Sequence, residues 1–221
     1  MSVQLTLLQI KPLILTALLL LLAVATKRFS LVFPQAKFLK ARAHIYGPND
    51  DIKTLTRLKL KVATLDKYIE ANDFNTAHCF LIDMSIASGT NRFFVYNLKK
   101  DSIEKTGLVT HGSGLELMKD SILFSNTIGS NCTSLGKYKI GKPYRGKFGL
   151  AYKLYGLEKT NSNAYSRFVV LHAHPCVPAN EISPLEICRS WGCPTVSPAF
   201  LTQLKSYIDR SKQPLLLWIF Q

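Results

Sequence analysis

The sequence predicts a mainly β domain, a sandwich or barrel with a few helices, on three observations. From Cys79 onward the 221-residue chain is a succession of short apolar runs rich in β-branched and aromatic residues: HCFLIDMS, RFFVYNL, GLVTHGSG, SLGKYKIG, GLAYKLYGL, RFVVLHAH and PLLLWIF. Glycines at 107, 129, 136, 141, 146, 149 and 156 separate these runs at the spacing of turns between short strands. In that part of the chain, SPAFLTQLKSYIDRS at 197–211 is the exception with helical periodicity.

Taken in order, the chain begins with PLILTALLLLLAVA at 12–25, an uncharged run preceded by Lys11 and followed by Lys27 and Arg28. A comfortable membrane span needs roughly 20 apolar residues, and this run is nearer a signal-peptide core. Ala23-Val24-Ala25 is an A-x-A pattern that a signal peptidase could cut. Residues 1–25 are expected to be a signal peptide or an uncleaved anchor. Either reading makes the domain exported, to the periplasm or cell envelope, with an inner or outer membrane surface as a further neighbour; only an anchor whose basic flank stays inside would reverse this. Residues 26–74 are expected to be a linker and an N-terminal helical segment. Pro34, Gly47-Pro48 and Asn49-Asp50 break the first part. Apolar residues at 55, 58, 60, 62, 65, 68 and 69 predict one or two helices over 52–73, ended by Asn72-Asp73.

Residues 75–221 form the expected main domain. Ser88-Gly89-Thr90-Asn91 is placed as a hairpin turn between the first two strands. In the 197–211 helix, Ser197 can cap and Pro198 can take the first position, while Phe200, Leu201, Leu204, Tyr207 and Ile208 form the apolar stripe.

Lysine and arginine number 28 against 14 acidic residues, a net charge of +14. That balance favours a polyanionic neighbour: nucleic acid, an anionic membrane or an acidic wall polymer. No Arg-rich block or nucleic-acid motif is present, so nucleic acid is not expected. The five cysteines at 79, 132, 176, 188 and 193 are an odd number, which in an exported chain leaves a free thiol or an intermolecular bond. Cys176 and Cys188, close in sequence, are a candidate pair; Cys79 and Cys132 read as buried filler.

The chemistry centres on RSWGCPTVSP, residues 189–198. A cysteine nucleophile needs a base, because a free thiol has a pKa of about 8.5, and backbone donors for a developing oxyanion. Gly192 admits close approach of a substrate, the turn's amides can serve as donors, and Pro194, without an N–H, fixes the exit. RFVVLHAHPCV supplies two candidate bases, His172 and His174. On a strand, residues 172, 174 and 176 share a face, so with Cys188 or Cys193 they could also make a zinc set; no carboxylate supports it, and no metal or organic cofactor is expected. Cys193 could equally be filler and His172 an ordinary edge residue; their occurrence together favours catalysis. His111, in THGSG, belongs to a tight loop that could border the cleft. Lys153, Glu158 and Asn161 to Asn163 form a polar loop that could shape the acceptor side or merely satisfy turns.

At these residues the chain resembles the murein L,D-transpeptidases, the YkuD-like cysteine enzymes of bacterial cell walls, in a branch whose turn reads R-S-W-G-C-P. The shared pattern is a strand ending in a histidine followed, after a gap, by S-x-G-C: here His172, then Ser190-Trp191-Gly192-Cys193. RFFVYNL, LVTHGSG, FSNTIGSNCTSLGKYKIG, YRGKFGLAYKLYGLEKTNSNAYSRFVVLH and RSWGCPTVSPAFL extend the resemblance over about 75–215. The chain departs from better-known members at Leu135, Ala173 and Trp191. The resemblance implies the YkuD-like fold, Cys193 as nucleophile, His172 as base and Ser190 setting the turn or orienting the histidine. It also implies an oxyanion hole at the amides of Gly192 and Cys193. Arg189 would face a substrate carboxylate or make an ordinary salt bridge; Trp191 would wall the pocket or pack in the core. The implied substrates are peptidoglycan stem peptides, and the implied reaction is acyl transfer through a thioester. The alternatives are an L,D-carboxypeptidase or other cysteine hydrolase, and a non-catalytic or zinc-bound wall-binding module.

Overall fold

The computed structural model describes residues 48–115 and 122–221. The expectations for residues 1–25 and for the linker up to 47 lie outside the described residues. Helices α1 (Pro48–Ala63) and α2 (Asp66–Ala71) precede strands β1 (His78–Asp83), β2 (Phe93–Asn97), β3 (Ser102–Gly107), β4 (Gly136–Gly146), β5 (Gly149–Gly156), β6 (Val170–Ala173) and β7 (Thr195–Val196); α3 (Pro198–Arg210) and β8 (Leu216–Phe220) follow. The domain is mainly β with a few helices, and its strands form one eight-stranded sheet in the order β3-β2-β1-β8-β4-β5-β6-β7. Most neighbours are antiparallel; β1 with β8 and β6 with β7 are parallel.

The central strands are buried on both faces, which explains their near-continuous apolar runs. Phe80, Ile82, Phe93, Val95, Leu217 and Ile219 point into one core, where Phe200, Leu201 and Leu204 of α3 meet them. Cys79, Leu81, Phe94, Tyr96, Leu216 and Phe220 point the other way, against Leu58 and Val62 of α1 and Ile69 of α2. Fully burying a leucine such as Leu58 or Leu204 stabilises by about 1.5–3 kcal/mol. Arg57 donates from Nε to Asp83 Oδ2 at 2.8 Å, tying α1 to the end of β1.

The α3 helix begins as expected: Ser197 accepts from the Phe200 amide and Pro198 occupies the first turn. The helical segment 52–73 divides at Thr64-Leu65 and starts earlier, at Pro48. Two expectations need correction. The β1–β2 connection is not a tight turn at 88–91 but runs from Met84 to Arg92, because Gly89 O accepts from both Ile182 and Ser183 amides and so holds a distant loop. GLVTHGSG is not a regular strand: it makes single bridges, Val109 to Val196 and Gly112 to Ser190. The edge strand β3 was missed because SIEKTG has the exposed, polar character of a strand that borders solvent.

Candidate active site

Strand β6 sets the site by alternation. Leu171 enters the core, while Val170 and His172 face the other way. Parallel pairing puts His172 opposite Thr195 of β7. The turn that delivers Cys193 immediately precedes β7, so ladder pairing brings together residues well separated in sequence. A cavity of about 290 Å³ results, bordered by His172, His174, Arg189, Ser190, Trp191 and Cys193.

Backbone bonds hold the turn from beneath. The Ser190 amide donates to His111 O at 2.9 Å, and the Ser113 amide donates to Ser190 O at 2.8 Å. Ser190 Oγ donates to Cys193 O at 2.7 Å and accepts from the Gly192 amide at 3.2 Å. Ser190 therefore shapes the turn and does not contact the histidine ring. The Gly192 amide is already engaged, so of the expected oxyanion pair only the Cys193 amide is left to carry that role. Gly192 has φ +102°, and a Cβ there would lie 2.7 Å from Cys132 O, so conformation and space both demand glycine.

The His172 ring is buried. Its Nδ1 lies 3.1 Å from Ala173 O and its Nε2 3.0 Å from Thr195 Oγ1. A carbonyl can only accept, so Nδ1 carries the proton. Burial, offset in part by the Ala173 bond and aided by His174, lowers the ring's pKa below the usual value and keeps it neutral. Nε2 is then a bare lone pair, to which the Thr195 hydroxyl donates. Phe148, from the tip of the β4–β5 hairpin, stacks on the ring with centroids 5.0 Å apart.

Cys193 is half-buried, and its thiol donates to Phe168 O at 3.7 Å. Burial raises its pKa, opposed by a backbone bond at Val170 and by the Arg167 charge. The resting pair is thus neutral thiol and neutral imidazole, both on one cavity. Among the described residues the sulfur's hydrogen bond goes to Phe168 rather than to His172. Phe168 has φ +56° and is 83% exposed, a strained placement for a bulky residue.

The remaining expected residues divide. His174 borders the cavity; its Nδ1 accepts from the Cys176 amide at 3.2 Å and its ring meets Phe148 edge-on. Arg189 borders it too, with Glu186 Oε2 at 3.7 Å. Trp191 is 78% exposed on the rim, which removes the core-packing reading. His111 does not border the cavity. It lies buried behind the turn, its Nδ1 accepting from the fully buried Arg92 at 3.3 Å. Cys176 and Cys188 are joined in a disulfide, so neither offers a thiolate to a metal. Cys79 and Cys132 are buried, the Cys79 thiol pushed up to about 12 by burial. Asn161 is a turn organiser, accepting from the Glu158 amide and donating to Lys137 O. Glu158 pairs with Lys137.

Phe148, Thr110, Thr195 and Arg167 escaped the sequence reading. Thr110 Oγ1 accepts from the Thr195 amide and bonds Cys193 O at 3.2 Å. Arg167 donates to Ser125 O and Cys132 O, bracing the loop against which Gly192 rests. Only Phe148 carried a signal: an aromatic between two glycines, Gly146 and Gly149, at a hairpin tip has no core to enter.

A family model described as the L,D-transpeptidase catalytic domain matches residues 50–218. No curated protein matches the chain. Among solved structures it is similar to the helical cell shape determining protein Pgp2 from Campylobacter jejuni, at 11% identity and TM-score 0.39, over 74% of this chain and 56% of that one. It is also similar to an L,D-transpeptidase from Mycobacterium smegmatis, at 13% identity and TM-score 0.39, over 66% and 59%. A third is the L,D-transpeptidase from Xylanimonas cellulosilytica, at 13% identity and TM-score 0.38, over 66% and 61%. The chain therefore spans about three-fifths of the length of these structures. With the matched model extending over most of its residues, this chain belongs to the L,D-transpeptidase catalytic domain family.

Proposed function

We propose that the protein is an exported cysteine acyltransferase acting on peptidoglycan stem peptides, with Cys193 as nucleophile and His172 as general base. The observation that carries this is the shared cavity. It is bordered by both a half-buried thiol and a neutral imidazole whose Nε2 is a lone pair accepting from Thr195 Oγ1. Cys193 rotates from Phe168 O, the Thr195 hydroxyl swings its proton to Cys193 O, and His172 Nε2 takes the thiol proton. The thiolate attacks the carbonyl that links a diamino acid to a terminal D-residue. The Cys193 amide stabilises the oxyanion, and His172 returns the proton to the departing amine. A thioester remains on Cys193; a second stem's amine attacks it and regenerates the thiol. If water attacks instead, the enzyme is an L,D-carboxypeptidase.

Arg189 and Trp191, which border the cavity, would meet the substrate carboxylate and its backbone. The Cys176–Cys188 disulfide supports an oxidising compartment and hence the periplasm or cell envelope. Intact mass spectrometry with a carbapenem tests the assignment. A single covalent adduct is expected on the wild type and none on Cys193→Ala, and His172→Ala should slow acylation by at least about a hundredfold. Full acylation of Cys193→Ala would remove the nucleophile.

A further inference from the structure

The sheet face that carries His172 continues past the cavity onto β5 and β4. Ladder partners share a face: Ala151 lies opposite His172 and Tyr144, Lys153 opposite Val170, and Lys139 opposite Tyr155. Toward β1 and β8 the equivalent face is covered by α1 and α2. Over β4 and β5 it lies open, with Lys139 and Tyr144 exposed and Lys153 and Tyr155 half-buried.

These residues are already organised. Tyr155 and Tyr165 stack with centroids 5.4 Å apart. Lys153 Nζ lies 5.0 Å from the centre of the Tyr165 ring and 5.8 Å from that of Tyr144, and Lys139 Nζ lies 5.3 Å from that of Tyr155. Lys139, Tyr144, Lys153 and Tyr155, with Lys142 and Lys212, line a groove of about 730 Å³, which Tyr165 flanks through its stack on Tyr155. Its one carboxylate, Asp209, is occupied by Lys205. None of the groove's lysines has a carboxylate partner among the described residues. A smaller recess, bordered by Tyr144, Lys153, Tyr165 and Phe168, joins the groove at Tyr144 and Lys153. Phe168 in turn supplies the carbonyl that holds the Cys193 thiol. The lysine–tyrosine strip therefore reaches the residue whose carbonyl holds that thiol.

We propose that this groove binds the acidic glycan–peptide strand that bears the peptide acylating Cys193. Flat tyrosine faces meet the C–H faces of sugar rings, and unpaired lysines meet the free carboxylates of neighbouring stems. A groove held by stacking and cation–π contacts keeps its donors in place before the ligand arrives, so little order is lost on binding. Contacts remote from the sulfur would raise the local concentration of stems around the cavity. The inference rests on the proposed function, because the strand is the polymer to which the scissile peptide is attached.

The test is co-sedimentation of the whole chain with insoluble purified peptidoglycan. Two variants are compared with wild type: Lys139→Glu with Lys142→Glu, and Tyr155→Leu with Tyr165→Leu. Each should weaken sedimentation by at least about tenfold, the charge variant also losing much of its salt dependence. Peptidoglycan with amidated carboxylates should bind wild type as weakly. Carbapenem acylation of Cys193 at the wild-type rate shows that each variant is folded. Sedimentation unchanged in both variants overturns the groove while leaving the nucleophile untouched. Equally strong, equally variant-sensitive binding to duplex DNA overturns the glycan assignment in favour of a general polyanion site. An unreactive Cys193 with groove-dependent sedimentation would sink the proposed reaction and leave the groove standing.

Discussion

Thr195→Val isolates the one hydroxyl that touches both halves of the proposed catalytic pair. Valine keeps the shape, so the side chain, 3% exposed, leaves no cavity. The loss is of Oγ1, which lies 3.0 Å from His172 Nε2 and 3.3 Å from Cys193 O. Leaving a buried polar group without a partner costs about 1–3 kcal/mol. Cys193 O keeps Ser190 Oγ and Thr110 Oγ1, so His172 Nε2 is the group left without its partner; it borders the cavity, where water can replace the hydroxyl, and the lower end applies, about 1–2 kcal/mol. For a domain of this size that corresponds to a fall in Tm of roughly 2–8 °C. If the same hydroxyl holds Nε2 in line for the sulfur, the acylation rate falls by about 5–30-fold. Thr195→Ser keeps the hydroxyl and loses one methyl, so its acylation rate should stay within about threefold of wild type while it loses about 1 kcal/mol of stability. Stopped-flow acylation by a carbapenem and thermal melts of the three proteins check this. Wild-type acylation by Thr195→Val, or equal impairment by Thr195→Ser, would refute the assignment.

Gly192→Ala should abolish acylation and cost at least about 2 kcal/mol in urea melts, because the new Cβ must displace Cys132 O and adopt a left-handed φ. The imidazole of His111 is pushed down to about 4 by burial and by the Arg92 and Arg189 charges. Its folded pKa lies below the unfolded one, so the unfolded chain binds the proton first. Stability is therefore full above about pH 6.5 and falls by roughly 3 kcal/mol as pH drops toward 4, with His172 acting in the same direction. His111→Gln should flatten much of that slope in melts recorded from pH 7 to 4. Reducing the Cys176–Cys188 bridge should cost about 3 kcal/mol, seen as a lowered Tm in dithiothreitol, and should loosen the Arg189 side of the cavity.

The strands that alternate or run apolar were legible because their burial is decided locally: RFFVYNL and PLLLWIF have too much apolar surface to face water. The α3 cap was legible for the same reason, since Ser197 and Pro198 act on the first turn that follows them. Cys193 and His172 could be named because glycine before cysteine, and histidine closing an apolar strand, are local departures from filler. Nothing local marked Thr195, which matters only because β7 lies parallel to β6 and sets it opposite His172. Nor could the pattern say that His111 sits behind the turn instead of in the cavity, or that Trp191 stands outside the core. Composition and periodicity predict a β domain, and the Gly-Cys turn marks one thiol as a candidate nucleophile. Which groups meet that thiol depends on strand order and register, and these are set by contacts between segments distant along the chain, whose energies no single segment carries.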